Sequence, residues 1–71
     1  MQSESIKEYV MSDKTTIELV GYYDDDTPEG EHDYYDLFLD NGECMNEGEP
    51  LYTRPTQSQV EKMYSEFMGV S

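Results

Sequence analysis

One imidazole and one thiol are the only side chains of their kinds in this chain, and both stand among acids. His32 lies between Glu31 and Asp33 at the mouth of a strand-like run. A histidine beside carboxylates is able to act as a general acid or base, but no nucleophile is placed by sequence to work with it. An exposed strand-end histidine is the expected reading. Cys44 follows Glu43, with Glu47 three residues on. Reactive thiolates need positive neighbours and exposure, so Cys44 is expected to be inert and to point into the core opposite Leu39. One Cys and one His cannot complete a four-ligand zinc set. Gly21, Gly30, Gly42 and Gly48 are scattered and have no Lys or Arg close in sequence, so no phosphate-cradling loop is present. Carboxylate pairs abound, but glycoside chemistry also needs a cleft that a chain this short cannot build. Neither a catalytic residue nor a cofactor is expected, and no enzyme activity.

The stretch from Asp24 to Asp36 is the one that suggests a ligand. Asp25, Thr27, Glu29, Gly30, Glu31, Asp33 and Asp36 fall at the ligand and turn positions of a calcium loop of about twelve residues. The match is weak. The last position is Asp where a longer bidentate Glu is usual, Pro28 intrudes, and the flanks read as strands. Asp25, Glu29, Asp33 and Asp36 are therefore weak candidates for divalent-cation binding, against a solvated loop whose charges repel.

Seventeen acids oppose four bases, for a net charge of −13. From Thr15 to Thr53 there are twelve carboxylates and no Lys or Arg. Direct binding to nucleic acid or to an anionic membrane is disfavoured, since both depend on basic side chains. Cations or a basic protein surface would be attracted instead, although charge also serves solubility alone. No apolar run approaches the roughly 18 residues that span a bilayer. The first eight residues lack the basic and apolar regions of a secretory signal, and a single cysteine forbids an intramolecular disulfide. A cytoplasmic protein is expected.

The elements that must position these groups follow from periodicity and turn chemistry. Residues 1–14 form an arm with apolar Ile6, Tyr9, Val10 and Met11. Ser5 and Glu8 have capping-box spacing, so a short helix and an extended arm are both open. Met11-Ser12-Asp13-Lys14 also reads as a natural start, which would make the first ten residues an upstream extension. Residues 15–71 read as one β-β-β-α domain. Residues 15–23 and 32–40 are β-branched or aromatic with alternating sides. Asn41-Gly42 predicts a two-residue hairpin that returns as a third strand over residues 43–46, with Leu39 facing Cys44 and Phe38 facing Met45. Thr56 and Gln59 form a capping box ahead of an apolar stripe of Val60, Met63, Tyr64, Phe67 and Met68, and Gly69 is placed to end that helix. The fold class is α+β: a small antiparallel three-stranded sheet with a C-terminal amphipathic helix on one face.

Parity divides the sheet residues between two faces. Ile17, Leu19, Gly21, Tyr23, Tyr35, Leu37, Leu39 and Cys44 make an uncharged face that should receive the helix. Thr16, Glu18, Val20, Tyr22, Tyr34, Asp36, Phe38 and Met45 make a mixed face with too many large apolar groups to leave wet without reason. Three covers suit it: the N-terminal arm, a second copy stacking sheet on sheet, or a foreign partner.

The expected function is a small non-catalytic acidic module that docks on a basic surface of another macromolecule, in its sharpest form by copying the charge density of nucleic acid. The expected contact residues are Glu18, Tyr22, Asp24, Asp25, Asp26, Tyr34, Asp36 and Phe38. The alternatives are a homodimeric assembly protein and a weak cation binder through the Asp24–Asp36 loop.

Overall fold

Ile6 and Tyr9 are three residues apart, a spacing that suits one face of a helix and that a regular strand would send to opposite sides. The computed structural model, which describes residues 1–46 and 49–69, resolves the conflict with a β-bulge. Residues Gln2–Val10 form strand β1, and its pairing slips between Ser5 and Lys7. The extra residue reverses the parity, so both Ile6 and Tyr9 reach the core side. The arm is therefore an edge strand that widens the sheet, and it does not cover the mixed face. Thr16–Tyr23 form β2, Tyr34–Leu39 form β3, and Gln57–Phe67 form helix α1. The sheet is antiparallel with order β1-β2-β3, followed by the helix, which is the expected α+β class.

Both short connections use the same device. In the β1–β2 turn, the Met11 amide donates to the Thr15 carbonyl and the Lys14 amide to Met11, with Lys14 at φ 74°. After β3, the Leu39 amide donates to Glu43 and the Gly42 amide to Leu39, with Gly42 at φ 90°. Each is a turn whose last residue is left-handed, the bulged alternative to the two-residue hairpin expected at Asn41-Gly42. The extra residue shifts the return strand by one. Phe38 now faces Cys44, and Met45 takes the core place expected for Cys44. A one-residue slip exchanges the two faces of a strand, and this exchange corrects both assignments.

The expected third strand over residues 43–46 is reduced to that single bridge, because another group takes its ladder role. Asn46 is buried, at 4% exposure, and its Oδ1 accepts the Leu37 amide at 2.9 Å. Its Nδ2 donates to the carbonyls of Glu49 at 3.0 Å and Tyr35 at 3.4 Å, and to Asp36 Oδ1 at 3.3 Å. Tyr35 exchanges backbone bonds with Leu51. The outward amides of β3 are thus met in turn by Leu51, Asn46 and Glu43, without a continuous partner strand. Glu47 and Gly48, noted in the sequence, lie outside the described residues.

The core gathers Tyr9, Met11, Ile17, Leu19, Tyr35, Leu37, Leu39, Met45 and Val60, with Ile6, Leu51, Met63 and Tyr64 packed on it. Thr56 caps α1 in a full capping box with Gln59, and Gly69 follows at φ 74°, as the sequence predicts. The apolar stripe fades along the helix: Val60 is fully buried, while Phe67 and Met68 are 39% and 53% exposed. The Tyr9 hydroxyl donates to the Pro55 carbonyl at 2.6 Å, tying β1 to the start of the helix. No helix among the described residues is long and apolar enough to cross a membrane.

Candidate interaction surface

The face of the sheet opposite the helix is open, and the register lays it out in rows. Ser3, Tyr22 and Tyr34 form one row across the three strands. Ser5, Val20 and Asp36 form the next, then Glu8, Glu18 and Phe38. Val20, Tyr22, Tyr34, Asp36 and Phe38 are half-buried, with Met1 Sδ accepting from the Tyr34 hydroxyl at 3.0 Å and Asn46 reaching Asp36 from the rim. Tyr22 and Tyr34 stack at 4.7 Å between ring centroids, 19° from parallel. Burial pushes the Tyr22 hydroxyl up to about 12, and the Asp36 carboxylate that it hydrogen-bonds adds to the shift. A neutral phenol beside a carboxylate makes a fixed donor–acceptor pair on an aromatic floor.

Glu8 and Glu18 are directly opposed across β1 and β2. Like charges in that position repel, with side chains about 5 Å apart at the Cβ atoms. Among the described residues neither has an ion-pair partner. With Thr16, Phe38, Leu39, Asp40 and Gly42 they line a hollow of about 460 Å³. Every charged residue in these rows is acidic. The bases lie elsewhere: Lys7 sits 4.7 Å over the Tyr9 ring, Lys14 is in the first turn, Arg54 acts on the Tyr9 hydroxyl, and Lys62 is on α1.

The eight expected contact residues divide into two groups. Glu18, Tyr22, Tyr34 and Phe38 share this face with Asp36. Asp24, Asp25 and Asp26 are exposed in the β2–β3 loop, with Asp24 3.4 Å from the Met1 ammonium. Within that loop Thr27 Oγ1 accepts the Asp24 amide at 2.9 Å and donates to Asp33 Oδ1 at 3.1 Å. Asp36 lies on β3, so the cation candidates Asp25, Glu29, Asp33 and Asp36 are not drawn around one point. Among the described residues no group of three or more His, Cys, Asp or Glu is arranged to hold a metal ion.

His32 departs from its expected exposure. Its side chain is 4% exposed, and Nε2 donates to Glu4 Oε1 at 2.7 Å. The ring meets Tyr23 edge-on and Tyr35 at a tilt, with centroids 5.9 and 5.4 Å away. It fits because Gly21 lies beneath it: a Cβ there would come within 2.5 Å of His32 Cδ2 and 2.6 Å of Ile6 Cδ1. Its Nδ1 is buried without a hydrogen-bond partner among the described residues. The histidine fastens the β2–β3 loop to β1, which is structural work. Glu4, Glu8 and Asn46 were not singled out from the sequence, since their roles depend on strand pairing between distant segments. Gly21 did carry a signal, because an isolated glycine inside a strand often marks a close approach.

Comparison with protein-family models, with curated proteins and with solved structures finds no match.

Proposed function

We propose that this protein is a non-catalytic interaction module that docks through the open face of its sheet on a basic surface of another macromolecule. The observation that carries the reading is the placement of β1. It extends the sheet where a cover was needed, and leaves Val20, Tyr22, Tyr34 and Phe38 beside unpaired carboxylates. Aromatic groups in a charged frame suit a partner interface, with the apolar groups supplying affinity and the charges orientation and rate. A second copy suits the face poorly, because stacking would set Glu8, Glu18 and Asp36 of each chain against those of the other with no base in the rows.

The test is retention of basic protein on the immobilised chain at low and at high salt. The wild type is expected to retain a defined species at low salt and release it as salt rises. A triple variant E8Q/E18Q/D36N is expected to lose it, while E61Q/E66Q on the helix keeps it. Equal retention by both variants would contradict the reading.

A further inference from the structure

We infer that the hollow at the Phe38 end of the open face anchors one arginine side chain of a partner protein, with the guanidinium over the Phe38 ring between Glu8, Glu18 and Asp40. This rests on the docking reading above and adds to it the partner's anchoring residue and its seat.

Two separate features of the hollow support it. The first is the in-register row Glu8–Glu18–Phe38, which sets two opposed carboxylates beside an aromatic ring. Cross-strand pairs of like charge are destabilising, and no base among the described residues relieves this one. A cation between them removes the repulsion. The second is the floor. Phe38 is half-buried and lines the hollow together with Thr16, Leu39 and Gly42, so a cation placed there meets an aromatic side chain as well as carboxylates. Guanidinium satisfies both: it is planar, stacks on rings, and binds carboxylates through a fork of N–H donors. Ammonium is more strongly hydrated and offers no such plane. The hollow, about 460 Å³, has room for the side-chain end with its stem directed away along the face. The occupant is foreign to this face, because none of the chain's four bases lies in the rows and a second copy stacked face to face would bring only more carboxylate.

Titration of the isotope-labelled full chain with a tetra-arginine amide, a tetra-lysine amide and spermidine, at low salt and followed by amide NMR, tests the seat. Shifts from the arginine peptide are expected to concentrate on Glu8, Thr16, Glu18, Phe38 and Asp40, with affinity about 3-fold above the lysine peptide, the size of an exposed cation–π contact. Phe38→Leu should erase that preference while keeping weak binding, and Glu18→Gln should weaken both peptides. Equal affinity for arginine, lysine and spermidine, or a preference that survives Phe38→Leu, would overturn the inference. Shifts centred on Tyr22 and Tyr34 would overturn the seat and leave the docking reading standing. Shifts confined to the Asp24–Glu31 loop would overturn both.

Discussion

Gly21 shows how one absent side chain positions several present ones. His32 occupies the space above it, bonds Glu4 on β1, and closes the loop against the sheet. Gly21→Ala should force either the imidazole or Ile6 to move, at a cost of about 1–3 kcal/mol, the usual range for overpacking. Urea unfolding measures it, and a double-mutant cycle identifies the cause. In a His32→Ala background the penalty should shrink substantially. An unchanged penalty would place the strain in the backbone or on Ile6. Tyr22 makes a related point on the opposite face. Its raised hydroxyl means the neutral form is favoured in the folded chain, a contribution complete below the ordinary pKa of 10 and lost as pH rises through about 12. At neutral pH the phenol is a donor toward Asp36, whose Oδ1 also accepts from Asn46 at 3.3 Å.

At the scale of elements, Asn46 stands in for a strand. Polar contacts converge on its amide from Leu37, Cys44, Glu49, Tyr35 and Asp36. Asn46→Ala leaves the Leu37 amide without this acceptor and the Glu49 carbonyl without this donor, and should cost about 2–3 kcal/mol in urea unfolding, since buried unmade bonds are expensive. Hydrogen exchange at the Leu37 amide should accelerate in step. A change below about 0.5 kcal/mol would mean that Leu51 and Glu43 alone hold the edge of β3. Much of the fold was legible in the chain. The parity of residues 16–23 and 34–39 named both faces correctly, and Thr56, Gln59 and Gly69 marked the helix ends. Two single-residue insertions were not legible. The bulge near Ile6 disguised β1 as a helix or arm, and the bulged turn at Gly42 exchanged Cys44 with Met45. Neither depends on composition; each depends on how two segments pair. The open face was visible as a mixed set of residues, but its uncovered state followed only from where β1 went.

Over the whole molecule, the two faces of one sheet do different work. One side receives α1 and contains the buried cluster around Ile17, Leu19, Leu37 and Val60, all at 0% exposure. The other has aromatics and carboxylates with no helix or further strand over them among the described residues. A net charge of −13 on so small a body attracts basic surfaces from a distance and discourages self-association. On the proposed reading, the open face gives the encounter a place to settle. The central claim is that this face is a working surface and not a second core. Neighbouring residues on β3 test it most directly, because Leu37 and Phe38 point to opposite sides of the same strand. Equilibrium urea unfolding of Leu37→Ala should show a loss of about 2–5 kcal/mol, the range for emptying a packed core site. Phe38→Ala should lose no more than about 1 kcal/mol, as surface substitutions do. Equal losses from the two substitutions would contradict the account, since Phe38 would then be ordinary core.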